Sequence, residues 1–131
     1  MNMKASVNYK NANLSKDKME FYNKFIKFLQ KEYPLKKDIT IYFLGKREGK
    51  MTTGSRNDKN ELKVLCKNRM TRDILRTLGH EWVHEYQLTI LGRDHGPDIG
   101  GENEDEANAF AGQMMKKFEK KYPHEEDKMY D

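Results

Sequence analysis

The sequence predicts a single α+β domain, and three observations carry that prediction. Residues 16–33 and 70–92 place apolar side chains at helical spacing. Short segments between them alternate apolar and polar residues, as half-buried strands do. A third helical pattern, residues 102–122, follows a break rich in glycine and proline. The expected order is an N-terminal helix, a three-stranded and mostly antiparallel sheet, a second helix and a C-terminal helix. Residues 1–14 and 123–131 carry no strong pattern and are expected to be flexible.

Each element has its own warrant. Ser15 is placed to cap the first helix, whose stripe is Tyr22, Phe25, Ile26, Leu29 and Tyr33, and Pro34 ends it. "DITIYFLGK" sets Ile39, Ile41 and Phe43 on one face of a strand. "GKMTTGS" is a weaker strand, and "NELKVLCKN" a third, with Leu62, Val64 and Cys66 on one side. Gly54, Asn57, Asp58 and Asn60 mark the turn between the last two. Thr71 is placed to cap the next helix, Asp73 suits its first turn, and Gly92 is a natural stop. In the last helix Ala107, Phe110, Ala111, Met114 and Phe118 form the apolar stripe, and acids crowd the N-terminus, where the helix dipole favours them.

Composition narrows the classes. The 131 residues suit one domain; 36% are hydrophobic, 35% charged and 11% aromatic, too patterned for a disordered chain. Cys66 is the sole cysteine, so no internal disulfide is possible, and it reads as a small buried hydrophobe. No apolar run resembles a signal peptide or a membrane span, so the expected setting is the cytoplasm, without membrane contact. Charge is uneven: residues 1–60 hold 14 Lys/Arg against 6 Asp/Glu, whereas residues 101–131 hold 5 against 9. The basic part is a possible nucleic-acid surface, although lysine dominates it and aromatics do not interleave, as on an ordinary solvated face.

The chemistry concentrates in "HEWVHEYQLTILGRDHGPDIGGENEDEANAFAG", His80 to Gly112. His80 and His84, four apart on a helix, present both imidazoles on one face, close enough to chelate one ion. Glu81 lies beside them, aimed past that ion. This H-E-x-x-H pattern supplies two zinc ligands and a general base for hydrolysis by a zinc-activated water. A third ligand is required, and two candidates stand open: Glu106, 22 residues after His84, and His95, 11 residues after it. The metzincin pattern is excluded, since Ile90 holds the position of its third histidine. With Glu106 as ligand, His95 is available to hold the oxyanion. Arg76 and Tyr86 are weaker candidates for holding it, since Arg76 is expected to pair with an acid and Tyr86 to pack. Glu102 and Glu104 read as solvated N-terminal acids, and Asn108 as a surface residue.

"HEWVH…DEANAFA" resembles the ImmA/IrrE type of gluzincin, a minimal zincin metallopeptidase. The resemblance implies that His80, His84 and Glu106 hold zinc and that Glu81 is the base. It also implies that "ELKVLCKN" is the edge strand on which a protein or peptide substrate is laid. Phe110 stands where a thermolysin-like enzyme has an aspartate, so the partner of the ligand histidines is unassigned. "HEWVHEYQ…HGPDI" also resembles the SprT/Spartan family of DNA-associated proteases, which implies His95 as third ligand and a DNA-binding basic half. A third reading is a zincin-shaped module that binds a partner without catalysis. Substrate and oligomeric state are left open.

Overall fold

A computed structural model describes residues 3–92 and 102–131. The order is strand β1 (Ala5–Asn8), helix α1 (Lys16–Glu32), strands β2 (Ile39–Leu44), β3 (Gly54–Arg56) and β4 (Glu61–Leu65), then helices α2 (Thr71–Thr89) and α3 (Glu102–Lys121). A 3₁₀ segment, Pro123–Tyr130, follows. The α+β class holds. The sheet differs from expectation: it has four strands in the order β1-β2-β4-β3, and two of its three pairings are parallel.

The difference has one physical source. Residues 5–8 form a strand that pairs with β2 in register, Val7 opposite Ile41, and the Lys4 amide donates to Asp38. Once β1 exists, α1 is the crossover that parallel neighbours require. β4 then lies between β2 and β3, so its residues are interior, and the free edge next to α2 is β3. The expectation that "ELKVLCKN" forms the edge strand is therefore corrected.

Local chemistry sets the element ends. The Ser15 hydroxyl accepts from the Lys18 amide and caps α1. Asn57 Oδ1 accepts from the amides of Lys59 and Glu61, and Asn60 takes a left-handed φ of 58°, which closes the β3–β4 turn. Gly92, φ 68°, follows α2 as a left-handed stop. Thr71 is the first residue of α2 rather than its cap; its amide donates to the Asp131 main-chain oxygen at 2.8 Å. The C-terminal segment is thus folded against the start of α2, with Met129 buried.

The core lies between the sheet and the three helices. Tyr22, Phe25, Ile41, Phe43, Leu62, Leu78, Trp82 and Phe118 are all essentially inaccessible. Trp82 satisfies its indole N–H on the Tyr33 carbonyl at 2.8 Å. Cys66 is buried, and burial pushes its thiol up to about 12. Phe110 departs from the expected stripe and is 39% exposed. Among the described residues, no helix is long and apolar enough to cross a membrane.

Gly54 brings the edge strand onto α2. A Cβ there would lie 2.6 Å from Thr77 Cγ2 and 3.1 Å from Glu81 Cγ. Thr77 is β-branched and cannot swing aside cheaply. Gly54→Ala is expected to cost about 1–3 kcal/mol, as overpacking does. Gly112→Ala, whose Cβ meets only the Arg76 guanidinium at 3.9 Å, should be neutral or stabilising by up to about 1 kcal/mol. Urea titration of both variants checks the contrast; equal stability would mean that β3 is not held this closely.

Candidate metal centre

The site forms where α2 crosses the first turns of α3 beside β3. Gly79 on α2 faces Ala111 and Met114 on α3; a Cβ at Gly79 would lie 3.6 Å from Ala111 Cβ and 3.3 Å from Met114 Sδ. This close approach, with Ala107 and Ala111 buried, sets the rotational phase of α3. Glu104 and Asn108, on one flank of that stripe, then face His80 and His84. Glu106 and Phe110 fall on the other flank, toward an apolar groove shared with Tyr33, Trp82 and Tyr86.

The structure sets Glu104, not the expected Glu106, beside the two histidines. Glu104 Oε2 lies 3.0 Å from His80 Nε2, and Glu104 Oε1 lies 2.9 Å from His84 Nε2. The two Nε2 atoms are 3.0 Å apart. Glu106 instead accepts a hydrogen bond from Gln87 Nε2 at 2.9 Å. Two residues of helix are about 200° of rotation, so 104 and 106 cannot serve the same face. His95, the other candidate for ligand or oxyanion holder, lies outside the described residues.

Gln87 orients the histidine pair. Its amide nitrogen donates to the Asn103 carbonyl at 3.1 Å and to Glu106, which turns Gln87 Oε1 toward His84 Nδ1 at 3.0 Å. With Nδ1–H of His84 donating to Gln87, the neutral ring would present Nε2 as an acceptor. That nitrogen faces a carboxylate oxygen at 2.9 Å. In that tautomer, a proton or a metal ion would lie between the two acceptors. The Gln87 contact is the outer-shell hydrogen bond expected of a ligating histidine.

The donor set fits zinc. His80, Glu81 and His84 offer ligand atoms within 4.8 Å of one another and could hold a metal ion. Ligands about 2.0–2.2 Å from a tetrahedral zinc lie about 3.3 Å apart, so the His80, His84 and Glu104 atoms would move outward by only a few tenths of an ångström. The open side is a cleft of about 390 Å³, bordered by Thr52, Thr53 and Gly54 of the edge and by Arg76, Thr77 and Asn108 of the helices.

Electrostatics separate the roles. Burial lowers His80, with His84 adding to that effect and Glu104 and a hydrogen bond with Asn108 opposing it, so His80 favours the neutral form that binds metals. Glu81 is buried, at 6% exposure, and burial pushes its carboxyl up to about 7; His84 and Arg56 oppose the rise and Glu104 adds to it. A carboxyl at that value is suited to passing protons near neutral pH. Below it, Glu85 is buried and takes a hydrogen bond from Arg56 Nε at 2.7 Å, which ties β3 to α2 one turn beyond Glu81. Gln87, Glu104, Asn108 and the Arg56–Glu85 pair were missed as site residues in the sequence. For Gln87, its place three residues after His84 was an available signal.

Two outcomes are expected. Glu104→Ala should weaken zinc binding more than 100-fold, whereas Glu106→Ala, acting through Gln87, should cost about 10–100-fold, as outer-shell changes do; competition with a fluorescent chelator measures both. The reverse order would return Glu106 to the ligand position. In metal-free protein, Glu81 has a folded value raised from 4.5 to about 7, so its contribution to stability is whole below pH 4.5 and is lost as pH rises to about 7. Wild type should therefore lose stability relative to Glu81→Gln across that range by up to about 3 kcal/mol. Denaturant titrations at pH 4.5, 6 and 8 in the presence of EDTA check it; a pH-independent difference would show that Glu81 is not held in a dry environment.

No protein-family model matches the chain, and no curated protein and no solved structure matches it.

Proposed function

We propose that the chain is a zinc-dependent metalloendopeptidase of minimal zincin type, with His80, His84 and Glu104 as ligands and Glu81 as general base. The observation that carries this reading is a buried carboxyl raised to about 7 beside two histidines and a convergent carboxylate, in a cleft bordered by Gly54 of the edge strand.

A zinc ion supplies a Lewis acid that makes water acidic near neutral pH. The remaining steps belong to the chain. Gln87 holds the His84 ring with Nε2 facing His80 and Glu104, the residues that would hold the ion with it. Glu81 takes the proton from the attacking water and gives it to the leaving amine. β3 offers its outward backbone groups to an extended segment of substrate, antiparallel or parallel, at the lip of the cleft. Thr52 and Thr53, next to it, border the same cleft and can accept or donate to that segment.

Glu81→Gln keeps the volume and a hydrogen bond but cannot accept a proton. It should retain zinc at one equivalent and lose about 10²–10⁴ in rate, read as cleavage of a denatured protein such as casein with zinc measured on the same sample. Loss of zinc would make Glu81 a ligand; retained zinc with a wild-type rate would remove it from the chemistry and favour a binding module.

A further inference from the structure

Among the described residues, Arg76 has no acidic partner. Its side chain is exposed on α2 one turn before His80, and no described carboxylate lies within ion-pair distance of it. The sequence predicts such a pair, and none forms among the described residues. Of the acids nearest by position on the two helices, Asp73 makes no ion pair with Arg76, and Glu119 pairs with Arg72 at 2.9 Å.

What Arg76 does border is the cleft. It lines it together with His80, Glu81, Glu104 and Asn108. Glu104, Asn108 and Gly112 recur every four residues along one line of α3, and Arg76 reaches the third of them: its Nη2 lies 3.9 Å from where a Gly112 Cβ would be. The absence of a side chain at Gly112 leaves that stretch of α3 bare beneath the guanidinium. The cleft therefore runs from the carboxylate end at Glu104 to a cationic end at Arg76. The helical rise from Glu104 to Gly112 is about 12 Å along α3, which an extended peptide covers in about three to four residues.

We propose that Arg76 sets specificity at the metal site by binding a carboxylate of the substrate, an acidic side chain or a free C-terminus, about three residues from the scissile bond. This rests on the zinc-peptidase reading. A guanidinium meets a carboxylate with two parallel hydrogen bonds, a geometry that lysine does not reproduce. Arg76 touches neither the reacting bond nor the ion, so its effect falls on binding and not on the proton transfers of Glu81.

The test uses full-length zinc-loaded protein and peptide hydroxamates, which seat on the metal without needing turnover. Short peptides with the hydroxamate at either end carry Asp, Asn or Lys at successive positions, and those with a free C-terminus are made both as acid and as amide. Titration calorimetry gives their Kd values. An Asp ligand, or the free acid, should bind about tenfold tighter than its Asn or amide twin at one position, as a charge-assisted pair provides. Arg76→Ala should abolish that preference, Arg76→Lys should recover only part of it, and Arg76→Glu should transfer it to Lys. Zinc content should stay the same in all three. Equal binding of Asp and Asn ligands at every position overturns the assignment, as does a preference that survives in Arg76→Ala. Acetohydroxamate, too short to reach Arg76, separates the two failures: if it does not bind wild-type protein, the zinc reading fails and this assignment fails with it.

Discussion

The contact between Gly79 and Ala111 governs the site. Two helices can approach this closely only where both present small residues, and a bulkier pair would force α3 outward or rotate it. Because α3 is held in one phase, Glu104 and Asn108 meet the histidines while Glu106 is directed to Gln87. The donor geometry is therefore a by-product of core packing. The proposed ligands are thereby held rigidly, since they sit on helices whose other faces are locked by Leu78, Trp82, Met114 and Phe118.

Glu81 is held by a second constraint, from the sheet side. Gly54 lets β3 lie against Thr77 and Glu81, and Arg56 of the same strand reaches Glu85 one turn along α2. Glu81 is dry because the strand covers it, and its raised proton affinity follows from that cover. The cover is not free of cost: Glu85 Oε1 is buried with no hydrogen-bond partner among the described residues, a group that typically costs about 1–3 kcal/mol. The Arg56 contact to the other oxygen offsets part of that cost.

The legible parts of the fold were those with dense patterns. α1 and α2 show in their apolar spacing, Ser15 and Gly92 in their chemistry, and the β3–β4 turn in Asn57 and Asn60. β1 was not legible, because Ala5–Asn8 is four residues long, only half-buried and set among lysines and asparagines. Missing β1 also hid the strand directions, since α1 declares a parallel crossover only when a strand precedes it. At the site, His80, Glu81 and His84 stood out by local spacing, and the structure brings them together. The choice between Glu104 and Glu106 depended on helix phase. The signal was present: on the helical wheel Glu104 lies on one flank of the stripe, about 60° from Ala107, whereas Glu106 lies on the other, about 100° away.

The shortness of β3 has a further consequence. Backbone groups along a strand alternate sides, so a three-residue edge offers an incoming chain only a few main-chain hydrogen bonds. Such a short ladder gives little affinity by itself and little register. It also makes the edge a poor template for copies of the chain to stack upon, and Arg56 and the exposed Asp58 at its end discourage that further. An extended segment that rests there must draw most of its grip from side chains, so brief residence and ready release are built into the shape of the sheet.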